Sequence, residues 1–221
     1  VSGGGAVSNN SLLGSAEALI LNSNVSAPTG TVQVHAGSSG SIDATVLAAA
    51  VAVSGSFGGA ANGVAIGAAL AFNYIGYSGS VTEVGVATPT KTSASIRNSI
   101  VGGKKVKVDA ASTETIKGTI VAAAVAIGAS SSDAKQFGIA GAIVENRIAA
   151  DTTALIDGGD TPGSSTITVG SDGAEVRAKS SNTIEAITAA GSVAVALSGG
   201  SSAAVSIAAG IALNDIKGTT K

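Results

Sequence analysis

The chain of 221 residues contains no cysteine, no tryptophan and no methionine. Without thiols it has no disulfide, no thiolate metal site and no cysteine nucleophile. Aromatic residues make up only 2%. A core must therefore be built from Ala, Val, Ile, Leu and Gly, side chains suited to a narrow space between closely stacked strands. A single histidine, His35, excludes a multi-histidine metal site. Charged residues amount to 12% and the net charge is −2. No basic field exists to attract nucleic acid, and no nucleic-acid partner is expected. The chain opens on Val1 with no signal peptide in view, and is expected to be a segment of something larger.

What is present is apolar, small and repeated. Apolar residues reach 45%, and 31 glycines permit tight turns and close backbone approach. Three stretches align without gaps on Ile42, Ile116 and Ile184: "SIDATVLAAAVAVSG", "TIKGTIVAAAVAIGA" and "TIEAITAAGSVAVAL". Upstream, "TVQVHA" (31–36), "KVKVDA" (105–110) and "AEVRAK" (174–179) keep the same spacing. Downstream, "VAIGAALAFNYI", "FGIAGAIVENRI" and "VSIAAGIALNDI" align on Asn73, Asn146 and Asn214. Asn10, in "GGGAVSNNSL", takes the same position in the tail of a preceding unit. "ALIL", "ASIR" and "ALID" (18–21, 94–97, 154–157) open the next units. The repeats therefore read as a partial unit 1–15, then 16–93, 94–153 and 154–221. Insertions at 76–90 and 158–173 interrupt them.

The eight apolar residues Ile120 to Ile127 decide the element type. Every second residue from Ile116 gives Ile, Gly, Ile, Ala, Ala, Ala, a face that is apolar and mostly small; the intervening face begins polar at Lys117 and ends apolar at Ile127. That period of two predicts a strand with one narrow buried face, whose far end is also covered. Helix is the competing reading, because alanine favours it; the interspersed β-branched residues and the flanking Gly and Ser weigh against it. The uncharged runs 44–82 and 186–214 raise a membrane span, but Gly, Ser and Asn interrupt them, and no membrane insertion is expected. The expectation is an all-β fold: one elongated β-solenoid over 1–221, most simply a right-handed parallel β-helix. Three coils of 20–25 residues per unit would stack about 4.8 Å apart. Asn73, Asn146 and Asn214 are expected at strand ends in turn or left-handed conformations.

The pattern "AxI…V.V.A…I.A…AAAVAxG…GxAxNxI" resembles repeats in large filamentous adhesins of Gram-negative bacteria, and is similar to the leukotoxin-family filamentous adhesins secreted by type V routes. The resemblance covers nearly the whole chain. It implies a passenger segment at the bacterial cell surface or secreted, and supplies no catalytic residues. The insertion at 76–90 departs from the repeat.

Residue types that carry chemistry are scattered. Asp43, Glu83, Asp109, Glu114, Asp133, Glu145 and Asp151 stand singly, which does not suit the paired carboxylates of a polysaccharide-active enzyme. His35 shares its register with Asp109 and Arg177 and reads as an outward strand position. No G-x-S-x-G elbow and no phosphate-binding loop occurs. "IDGGDTPGS" and "GSDGAE" put Asp157, Asp160 and Asp172 into one loop region, where plain turns compete with calcium as the one cofactor worth testing. Lys104, Lys105 and Lys107 form a basic strand start. The two T-x-T pairs are not equivalent in register, against an ice-binding rank. These features predict a non-enzymatic structural segment, and the resemblance implies that it is the stalk of an adhesin. Its candidate partners are a host or neighbouring-cell receptor or glycan, with end-to-end self-association. The alternatives are a parallel β-helix enzyme acting on polysaccharide and a self-assembling or membrane-active polymer.

Overall fold

The computed structural model describes residues 1–78, 86–157 and 165–221. Among them there is no helix; the molecule is all-β, with parallel sheets curled into a half-barrel. The strands in chain order are β1 (Ser2–Leu12), β2 (Ser15–Leu21), β3 (Asn24–Ser56), β4 (Ala61–Ile75), β5 (Tyr77–Ser78) and β6 (Val86–Ala87). They continue with β7 (Thr90–Arg97), β8 (Ile100–Ser130), β9 (Ala134–Asp157), β10 (Thr166–Val169), β11 (Ala174–Ser198) and β12 (Ser202–Lys217).

Two walls organise these strands. The outgoing wall stacks β3, β8 and β11 with β10. The returning wall stacks β1, β4, β9 and β12, with β2 and β7 carried on the last part of β9. All of these pairings are parallel, and each joins equivalent repeat positions: Ile42 pairs with Ile116 and Ile116 with Ile184. Asn10, Asn73, Asn146 and Asn214 likewise form one column. The internal alignment of the sequence is thus the pairing register itself.

One expectation fails here. Each repeat unit supplies a single layer of each wall, not about three coils. The reason is strand length. "GSSGS" at 37–41 runs straight through β3, so 33 residues pass without reversal. The only register shift along it lies between Ala27 and Thr31, beside Pro28 and Gly30. With three layers on one wall and four on the other, the stack is about 15–20 Å deep at the usual strand spacing, not the roughly 50 Å that ten coils would give.

The buried face is the expected one. Ile116, Ile120, Ala122, Ala124 and Ala126 are at most 1% exposed, and Ala44, Val46, Ala48, Ala50 and Ala52 line the same interior. Three clusters run along each layer. Val32, Val34, Val106, Val108 and Ile96 fill one end. Ile42, Ile75, Ile116 and Ile148 fill the middle. The far end is almost all alanine, Ala48, Ala50, Ala122 and Ala124 against Ala65, Ala69 and Ala142. There the walls approach so closely that a Cβ on Gly67 would collide with the Ala123 carbonyl, and one on Gly4 with that of Ala49. The opposite face departs from expectation. Its far end is uncovered, with Leu47 67%, Val53 76% and Leu197 62% exposed.

Candidate functional site

Parallel in-register stacking turns one repeat position into a column of side chains, so a site here is assembled across layers. The asparagine column shows this first. Asn73 and Asn146 are fully buried inside strands, not in turns. The Nδ2 of Asn10, Asn73 and Asn146 each donates to the Oδ1 of the next asparagine, at 2.8 Å. The left-handed positions belong to other asparagines, Asn22 and Asn98, at the corner between walls. There Asn98 Nδ2 donates to Asn22 Oδ1 at 2.7 Å.

Charges alternate in sign down several columns. His35 Nδ1 lies 3.0 Å from Asp109 Oδ2, with Arg177 next in register. Asp43, Lys117 and Glu185 form another such column, with Lys117 and Glu185 at 3.4 Å. Arg97 faces Asp157 and Lys91 faces Asp151. Lys105 bonds Glu175 at 2.8 Å, which holds the lysine pKa up and the carboxylate pKa down.

One place gathers unusual side chains, and the sequence did not reveal it. On the outer face of the returning wall the columns Phe72–Glu145–Leu213 and Tyr74–Arg147–Asp215 stand side by side. Tyr77, just past the left-handed Gly76, packs beside them. Ring centroids are 6.4 Å apart for Phe72 and Tyr74 and 6.1 Å for Tyr74 and Tyr77. The Arg147 guanidinium sits 5.9 Å from the Tyr77 ring centroid and pairs with Glu145. Asp215 pairs with Lys217 at 3.0 Å. Burial, reinforced by Glu145, pushes the Tyr74 phenol up; burial and Asp215 do the same to Tyr77. An open groove of about 290 Å³ runs between Glu145, Arg147, Asn146, Asn214, Asp215 and Lys217. Four ionisable side chains converge on it, so acids spaced far apart in sequence become neighbours. Both carboxylates are compensated by a cation. The groove is equipped to hydrogen-bond a polar ligand. An acid–base pair would need one of those carboxyls released from its partner.

A buried carboxyl lies between the walls. Glu114 is 1% exposed; Ser38 and Ser112 hydroxyls donate to its Oε1 at 3.1 and 3.4 Å. Burial holds its pKa above the ordinary carboxylate range. Of the calcium candidates, Asp172 bonds Ser171 and pairs with Lys104 at 3.2 Å; Asp157 ends β9, where its carbonyl accepts from Asn98. Asp160, with the rest of 158–164 in the second insertion and 79–85 in the first, lies outside the described residues. Among the described residues no three metal-ligating side chains come together, and no helix is long and apolar enough to cross a membrane.

Comparison with known proteins finds no matching family model, no similar curated protein and no similar solved structure.

Proposed function

We propose that the chain is a non-enzymatic structural segment of a large bacterial surface or secreted filamentous adhesin. In that reading its layers are rungs of a β-solenoid that carry a distal binding region away from the cell. The observation that carries this is the unit-on-unit stacking: whole repeats pair residue for residue through parallel ladders, continued by a buried asparagine column. Such a stack adds length with each repeat and needs no chemistry beyond hydrogen bonding and apolar contact. The resemblance of the repeats to filamentous adhesins supports the same reading.

Tandem duplication of the unit Ala94–Thr153 tests it. Eight added units should lengthen the particle by roughly 40 Å at one strand spacing each, seen by electron microscopy. Folded but unlengthened particles would refute it.

A second reading, a polysaccharide-binding or polysaccharide-cleaving face, is favoured by the groove at Glu145, Arg147, Asp215 and Lys217. Release of reducing ends from acidic or neutral polysaccharides, abolished in Glu145→Gln and Asp215→Asn, would establish the enzyme in place of the stalk.

A further inference from the structure

An exposed apolar band covers the outer face of the outgoing wall near the far corner. Columns there are apolar in every layer: Leu47–Val121–Ala189, Val51–Val125–Val193 and Val53–Ile127–Val195. Between the first two ridges runs a valley, Ala49–Ala123–Gly191. No charged side chain interrupts the face between the Asp43–Lys117–Glu185 column and the corner. Leu47, Val51, Val53, Val193 and Leu197 are all more than half exposed. Isolated exposed apolar residues are ordinary; a continuous band across three layers marks an interface.

The corner adds a knob and a hole. Phe57 is fully exposed, at 104% of its reference area. Beside it lies a mostly apolar groove of about 530 Å³, lined by Gly55, Ala129 and Leu197 among others. Phe57 rises from the first layer, whereas Leu197 belongs to the third.

We infer that this face docks a second copy of the same chain, wall against wall, about a two-fold axis running along β8. That axis reverses the order of the layers and leaves each column opposite its own counterpart. Phe57 of one copy then meets Leu197 of the other, and the contact occurs twice, as an isologous interface requires. Three layers by the eleven positions from Leu47 to Phe57 cover about 500 Å² on each copy. The total of about 1,000 Å² reaches the threshold for a specific interface, with an aromatic anchor at its rim.

The test is sedimentation equilibrium of the 221-residue chain, with circular dichroism to confirm folding of each variant. Wild type should dimerise. Val193→Lys and Phe57→Asp, both at exposed positions, should weaken the dimer at least ten-fold, whereas Ile207→Lys on the returning wall should not. Because the chain lacks cysteine, the double variant Phe57→Cys/Leu197→Cys should form covalent dimers on oxidation, against none for Phe57→Cys/Leu21→Cys. A strictly monomeric wild type overturns the proposal. So does a dimer indifferent to Val193→Lys, or one broken by Ile207→Lys instead. Flotation of a monomeric wild type with phosphatidylcholine vesicles, lost in Val193→Lys, would assign the face to lipid and overturn the dimer.

Discussion

Single residues in this molecule act through the layers above and below them. Asn146 is the clearest case, since it accepts from Asn73 and donates to Asn214. Asn146→Leu leaves the buried Asn73 Nδ2 without an acceptor and the exposed Asn214 Oδ1 without its donor, and should cost about 1–3 kcal/mol. Asn214→Leu, at the end of the column, should cost roughly half as much, measured by urea unfolding. Glu114 makes a different prediction. Its folded pKa is raised by burial, so the neutral carboxyl is the form the interior favours. Its contribution is fully present below the ordinary carboxylate pKa and is lost as pH rises through the raised folded value. No charged group contributes to that shift; only Ser38, Ser112 and the Gly40 backbone oppose it. The melting temperature of wild type minus that of Glu114→Gln should therefore fall as pH rises above the ordinary carboxylate range. A difference that is flat or rises with pH would show the carboxyl to be solvated.

At the scale of the strand, register and face are what substitutions probe. Ala122 and Ala124 are buried where the walls nearly touch. Ala122→Glu or Ala124→Glu would bury a carboxylate without a partner, costing several kcal/mol or forcing it neutral. Thermal melts unchanged in both would place that face in solvent. Lys117 is exposed, and by exposure alone Lys117→Glu should be silent. Its column says otherwise, because the variant stacks three carboxylates at positions 43, 117 and 185. Like charges directly opposite should destabilise by about 0.5–1 kcal/mol at low salt, and less in 0.5 M NaCl. The alternating columns also discriminate registers: sliding β8 by two residues against β3 would set Asp109 beside Gly37 instead of His35.

For the whole molecule, the layer is the unit that can be removed. Deleting 94–153 joins Ser93 to Ala154, which already stacks on Ala94 as its equivalent. The shortened chain should remain folded, lose one layer, about 4.8 Å of depth, and unfold with a smaller urea m-value. Deleting half as much, 94–123, should abolish cooperative unfolding, because it removes an outgoing strand from one wall without its return.

How much of this was legible in advance depends on what each feature requires. A period of two, with a small apolar face against one that turns from polar to apolar, determined strand and buried face along Ile42–Ala52 and Ile116–Ala126, since side-chain direction has a period of two whatever the surroundings. Similarity between units determined which residues pair, because parallel in-register stacking makes the repeat alignment and the hydrogen-bond register the same list. The rest needed the tertiary structure. The Gly-Ser cluster at 37–41 runs straight through β3 in register with β8, so each unit supplies one long outgoing strand instead of several short ones. Asn146 became a core ladder because the interior is continuous along the stack, so each amide can bond the next and a buried polar column is satisfied. Tyr74, the Glu145 and Arg147 pair, and Asp215 come from three separate repeat units, and stacking alone brings them together. The outer ridges from Leu47 to Val53 look like the rest of the core in sequence. Only the fold shows that one face of each strand is packed and the other is exposed.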